Sequence, residues 1–320
     1  MPKFLRAFLA ATLAIASFGA IAQSYPGRPV KMLVGYAAGG GMDSLARVLA
    51  AKLTETLGQQ VLVENRAGAS GAVAADAMIK SLADGYTIYA AESGALILPA
   101  INPKISYDPV RNFLPVGGVA TLPMAFVVTN AFPAKNAQEL IAALKAAPGK
   151  YSYASPGVGT VQHFAFELFM RSAGVSAVHI PYKGAATMMP DIISGQVPVA
   201  VISASAAMGQ VKAGKIRTIA LTSPQRISSA PDWPAMAETL AGFDAAPRVF
   251  VVAPVGTPQP VVTRLNEAMR AALASKDLQE NYERQGATAM PSSPEELGRQ
   301  IAEETRRWAT IAKEANIKSE

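Results

Sequence analysis

Val30-Lys31-Met32-Leu33-Val34 runs into Gly35-Tyr36-Ala37-Ala38-Gly39-Gly40-Gly41-Met42-Asp43 and then into a helical stretch ending near residue 57. The first five residues form a short apolar run between Pro29 and Gly35, which predicts a strand. Over 43–57, Leu45, Val48, Leu49 and Leu53 fall on one helical face. Glycines in the turn between them let backbone approach a ligand closely. The free N–H groups and the positive end of the helix then favour an anion. Asp43 is placed to cap the helix. The turn lacks the third glycine of G-x-G-x-x-G, and no Gly-Lys-Ser/Thr follows it, so neither a dinucleotide fingerprint nor a P-loop is present.

The same unit returns further along. Ser155-Pro156-Gly157-Val158-Gly159-Thr160 lies between a strand-like run from Tyr151 and a predicted helix reaching residue 173. Its hydroxyls and amides suit a carboxylate, with Thr160 also a candidate helix cap. Working outward, strands are predicted at 61–64, 86–91, 125–129, 178–180, 197–202, 216–222 and 249–253. Helices are predicted at 72–82, 137–146 with Asn136 as cap, 188–194, 260–275 and 294–315. Strands alternating with helices imply βαβ units and an α/β fold of mostly parallel sheets flanked by helices. With 320 residues the chain is about two domains long.

The first residues belong to a different category. Lys3 and Arg6 precede an uncharged apolar run over 7–22 that closes on Ala20-Ile21-Ala22. That pattern predicts a secretory signal peptide over 1–22, because the run is shorter than the ~20 residues a membrane span needs. The sequence has no cysteine, which rules out disulfides, thiolate catalysis and thiolate metal sites. It has 29 Lys+Arg against 23 Asp+Glu, a formal charge of +6; without Lys3 and Arg6 the balance is 27 against 23, or +4. These charges are scattered, so nucleic acid is not an expected partner. Two histidines, His163 and His179, make no metal site by spacing. Gly68-Ala69-Ser70-Gly71-Ala72 misses the last glycine of a hydrolase elbow. No cofactor is expected. A serine hydrolase using Ser93 or Ser155 is the enzymatic alternative to a binding protein, and binding is the preferred reading.

Several runs together resemble the Bug family, the TctC-like receptors of tripartite tricarboxylate transporters. They are Tyr36-Ala37-Ala38-Gly39-Gly40 with Asp43, Val63-Glu64-Asn65-Arg66-Ala67-Gly68-Ala69-Ser70-Gly71, and Asp84-Gly85-Tyr86-Thr87-Ile88. Further on come Ser155-Pro156-Gly157-Val158-Gly159-Thr160 with His163, His179-Ile180-Pro181-Tyr182-Lys183-Gly184, and Ala253-Pro254-Val255-Gly256-Thr257-Pro258. The resemblance implies a two-domain type II periplasmic-binding-protein-like fold with two crossover strands. Domain 1 is expected over 23–124 and 248–320, and domain 2 over 125–247. It implies a monomeric periplasmic receptor that captures a small carboxylate-bearing ligand between its lobes for membrane subunits of a tripartite tricarboxylate transporter. A sensor subunit for the same ligands is the alternative. The implied ligand-binding residues are Tyr36, Ala38, Gly39, Gly41 and Asp43 on one lobe, facing Ser155, Gly157, Gly159 and Thr160 on the other. Ser93 is grouped with them, and Asp191 is a candidate for the far end of the ligand. Arg248 stands where the family commonly has tryptophan, and is read as a possible partner for a second carboxylate or else a solvated hinge residue.

Overall fold

The computed structural model describes residues 25–182 and 185–318. The predicted signal peptide and Lys183-Gly184 lie outside the described residues. Two sheets organise the chain. The first contains β1 (Val30–Val34), β2 (Val61–Asn65), β3 (Thr87–Glu92), β4 (Phe113–Thr121), β10 (Arg248–Pro254) and β11 (Thr288–Ala289), in the order β11-β4-β10-β3-β1-β2. The second contains β5 (Met124–Thr129), β6 (Ser152–Ser155), β7 (Val178–Pro181), β8 (Val199–Ser203) and β9 (Ile216–Leu221), in the order β7-β6-β8-β5-β9.

The helices are α1 (Gly41–Leu57), α2 (Ala72–Ile79), α3 (Gly94–Ile101), α4 (Pro109–Asn112), α5 (Ala137–Ala146) and α6 (Val161–Ala173). They continue with α7 (Ala185–Ser194), α8 (Ala204–Lys212), α9 (Gln259–Leu273), α10 (Lys276–Arg284) and α11 (Pro294–Glu314). Among the described residues no helix is long and apolar enough to cross a membrane. The fold is α/β and two-domain, with helices flanking each sheet. All six residues of β5 are buried, as a strand covered on both faces requires.

The sheets are mixed rather than mostly parallel. The named strands make four parallel pairings, β1·β2, β1·β3, β6·β7 and β6·β8. Five others are antiparallel, formed by β10 with β3 and β4, β11 with β4, and β5 with β8 and β9. The crossings between lobes explain this. β4 leads almost directly into β5, and β10 brings the chain back, so these strands run against the βα units around them. The two crossing segments are tied by the Leu122 N–H to the Pro247 carbonyl at 2.8 Å.

β4 was not expected from the sequence, and it carries Pro115, Gly117 and Gly118, residue types that weaken strands. The glycines are there for close approach. A Cβ on Gly117 would lie 2.6 Å from Asn266 Nδ2, and one on Gly118 would lie 2.6 Å from the Met290 carbonyl. Register shifts between β4 and β10 absorb the irregularity.

Three apolar cores result. One fills the α1 and α9 side of the first sheet, and another the α7 and α8 side of the second. The third runs between lobes, from Leu33 and Tyr89 to Phe126 and Phe166. α11 joins this core. Its Trp308 packs edge-on against Phe164 of α6 at 5.8 Å, and its Glu314 pairs with Arg171 of α6. A helix that follows the first sheet in the chain therefore anchors the second lobe.

Candidate functional site

A cavity of about 260 Å³ lies between the lobes. Its first-lobe wall includes Tyr36 after β1, Ser70 after β2, and Glu92 at the end of β3. Its second-lobe wall is the turn after β6 and the first residues of α6, from Val158 to Gln162. All four segments leave the carboxyl ends of parallel strands, where open α/β sheets bind ligands. A larger depression of about 510 Å³ lies on the first lobe alone, between α9 and the start of α11. It touches neither glycine-rich turn.

The second-lobe turn is held from below by a polar cluster. Ser155 is fully buried, and its Oγ sits 2.7 Å from His179 Nε2 while accepting the Gly157 N–H. His163 Nδ1 accepts the Gly159 N–H at 3.2 Å, so its proton is on Nε2, 3.6 Å from Glu167 Oε1. The two imidazoles stack at 3.8 Å, and Tyr153 donates to Glu167 at 2.7 Å. Burial, and then the neighbouring His163, bring His179 down to about 4, so it is neutral at ordinary pH. Burial alone would raise Glu167, but hydrogen bonds from His163 and Tyr153 outweigh it and hold the carboxyl below its usual range.

Thr160 is the N-cap of α6. Its Oγ1 accepts the His163 N–H and donates to the Gly157 carbonyl. Gly157 and Gly159 have φ of +153° and +78°, and a Cβ on Gly159 would meet Ile101 Cδ1 of the first lobe at 2.5 Å. The lobes thus touch at a glycine whose φ strains any other residue, and a Cβ there would push the Ile101 side chain aside. The first-turn amides of Val161 and Gln162 belong to cavity-lining residues, where the positive end of α6 faces the space.

The first-lobe turn is arranged differently. α1 begins at Gly41, so Asp43 is the third helical residue and not its cap; Gly40 takes the cap position without a side-chain bond. Asp43 is 3% exposed and turned inward. It accepts the Gly39 N–H at 2.8 Å, Arg47 Nε at 2.9 Å and Asn65 Nδ2 at 2.8 Å. Arg47, with Gly39 and Asn65, holds its carboxyl down to about 2. The expected ligand contact of Asp43 is therefore an internal brace, and the Gly39 amide is used by it. Ala38, Gly39 and Gly41 are exposed and do not line the cavity, whereas Tyr36 does.

Three other expected residues are engaged elsewhere. Ser93 is 1% exposed; its Oγ donates to Glu304 and accepts the Arg248 N–H. Arg248 does not line the cavity and is not solvated. Its guanidinium is mostly buried between Asp244 and Glu304, beside the crossing strands. Asp191 lies in the middle of α7 and accepts the Tyr182 hydroxyl at 2.6 Å, and it is not part of the cavity wall. Burial and the bond to Asp191 push Tyr182 up to about 12.

Ser70 and Glu92 are among the wall residues that escaped the sequence reading. Ser70 lies in Gly68-Ala69-Ser70-Gly71, four successive residues with positive φ. Two of them are not glycine, a strained backbone of the kind that collects at binding sites. Glu92 ends β3, and the Tyr36 phenol lies beside it in the cavity wall. Burial pushes Glu92 above its ordinary value, with the neighbouring Tyr36 hydroxyl opposing. Burial, and then Glu92, push the Tyr36 phenol well up. The position of Glu92 at the carboxyl end of a parallel strand was the available signal.

Two lobes of mixed α/β sheet, joined by crossing strands around a shared cavity, define the class of bilobal solute-binding receptors. Residues 45–317 match the family described as tripartite tricarboxylate transporter family receptor, TctC, and the chain belongs to that family. Protein BugT of Bordetella pertussis is 36% identical over 300 residues, covering 93% of this chain and 92% of BugT. The solved periplasmic binding protein BugD is 34% identical with a TM-score of 0.71, covering 92% of this chain and 100% of that one. Rpa4515 of R. palustris, solved with adipate, is 33% identical with a TM-score of 0.74, covering 92% and 99%.

Proposed function

We propose that this protein is a periplasmic receptor that binds a small carboxylate between its lobes and presents the closed form to membrane subunits of a tripartite tricarboxylate transporter. The observation that carries the reading is the interlobe cavity, with the open amide end of α6 on one wall and Tyr36 and Ser70 on the other. A carboxylate fits that end because the N–H groups and the helix dipole both favour negative charge. The adipate in Rpa4515, a member of the same fold at 33% identity, supports a carboxylate ligand. Export through the predicted signal peptide, and domain boundaries after residues 124 and 247, belong to the same proposal. So does action as a monomer.

Binding without turnover is favoured over hydrolysis. Ser155, the nearer hydrolase candidate, is 0% exposed and its hydroxyl is committed to His179 and Gly157. A nucleophile needs access to its substrate. The test is a thermal-shift screen of small carboxylates against their amides. A ligand that binds only the native state raises the melting temperature. At least one acid is expected to stabilise and its amide not to; equal stabilisation by acid and amide contradicts the reading.

A further inference from the structure

The cavity is electrically one-sided. Among the described residues Glu92 is the sole carboxylate in its wall, and no Lys, Arg or His lines it. No ion pair among the described residues involves Glu92; the hydroxyl of Tyr36 is its neighbour instead. A carboxylate has about four acceptor positions, and most of those on Glu92 are open. The opposite wall is the amino end of α6, with unpaired N–H groups and the positive end of the helix dipole. The cavity therefore has a positive wall on the second lobe and a negative one on the first, and Leu98, Ile101 and Val158 add apolar lining.

A ligand fits this field when its own charges are reversed end to end. A dicarboxylate places its second anion against Glu92, and a like-charge contact in a partly dry site is unfavourable. A monocarboxylate leaves Glu92 half-paired. An ammonium group supplies N–H donors and a positive charge at the place where both are lacking.

Resting on the function proposed above, we infer that Glu92 selects ligands that carry a protonated amine as well as a carboxylate, with the amine on Glu92 and the carboxylate on the first turn of α6. Closure then brings two opposite charges of the ligand to two different lobes, so each lobe contributes to holding the other.

The test is calorimetric titration of the purified protein with straight-chain acids of two to six carbons. Each length is offered as the monocarboxylate, the dicarboxylate and the ω-amino acid, at pH 7.5. The parallel set uses Glu92→Gln, which keeps shape and removes charge, and Tyr36→Phe, which keeps Glu92 and removes its hydroxyl neighbour. In the wild type the best amino acid is expected to bind at least tenfold tighter than the monocarboxylate and dicarboxylate of equal length. Glu92→Gln is expected to bring that ratio to within about twofold while monocarboxylate binding stays or improves. Tyr36→Phe is expected to retain the preference for the amine. A wild-type preference for the dicarboxylate, or a preference for the amine that survives Glu92→Gln, overturns the inference and leaves carboxylate binding intact. If none of the acids binds at any length, the proposed function itself fails, and with it the inference.

Discussion

The two glycine-rich turns look alike in sequence and do different things in the fold. In the first lobe, Asp43 folds back onto its own turn and takes the Gly39 amide, Arg47 and Asn65. That turn is a closed, braced structure whose residues 37–41 face solvent. In the second lobe, Thr160 caps α6 and His163 takes the Gly159 amide, yet the Val161 and Gln162 ends face the cavity. The lesson is about hydrogen-bond accounting. Glycines before a helix create donors, and the side chains nearby decide whether those donors are spent inside the protein or kept for a ligand.

Removing the brace is the strongest way to break the comparison. Asp43→Ala leaves a buried amide, an arginine and an asparagine without their acceptor, and is expected to cost about 2–4 kcal/mol in chemical denaturation. The same group sets an acid limit. Its folded value of about 2 lies below the 3.8 of an ordinary aspartate, so its contribution is present above about pH 4 and is lost as pH falls toward 2. Because Arg47 is half-exposed, that loss is expected to be roughly 1–2 kcal/mol, and absent in Asp43→Asn.

The next effect concerns the donors themselves. Val161 is the first residue of α6, where proline is tolerated, and Thr160 has the extended backbone that suits a residue before proline. Val161→Pro deletes one N–H and is expected to weaken carboxylate binding by about tenfold, the loss of one charge-assisted hydrogen bond. Gly41→Pro makes the equivalent change in α1, after Gly40 at φ −77° and ψ 167°. It is expected to leave affinity within about twofold. Equal losses from the two substitutions erase the distinction between the turns.

The polar cluster under the second turn gives a smaller signature. His179 stays neutral down to about pH 4 in the fold but takes its proton near 6.5 when unfolded. The unfolded chain therefore binds more protons between those values, and stability falls as pH drops through that window. The group is only partly buried, so about 1–2 kcal/mol is expected, read as the pH slope of the melting temperature and removed in His179→Gln.

Much of this was legible in the sequence where local chemistry is self-contained. Asn136 caps α5 over the range expected, accepting the Glu139 N–H at 2.9 Å. β1 and its partner strands follow from short apolar runs. What was not legible depends on contacts between distant segments. β4 carries Pro115 and two glycines, and its strand character comes from pairing with β10 and packing against Asn266 and Met290. Arg248 lacks any local sign of its partner Glu304, which is far along the chain in α11. Glu92 closes an apolar strand and reads as a solvated charge until β1 and the turn after β2 come in beside it. The family resemblance implied that the loop residues Ala38, Gly39 and Gly41 meet the ligand, and the glycine-rich turn offers donors for that. Asp43 shows that an offered donor can be consumed within four residues.

The most direct check on this division of labour is the backbone amide spectrum of 15N-labelled protein during titration with the carboxylate that raises the melting temperature most. The Val161 and Gln162 amide protons are expected to move downfield by several tenths of a ppm as they engage the anion, while that of Gly39, held by Asp43, stays in place. Shifts concentrated at Gly39, Gly41 and Met42, with α6 unmoved, contradict it.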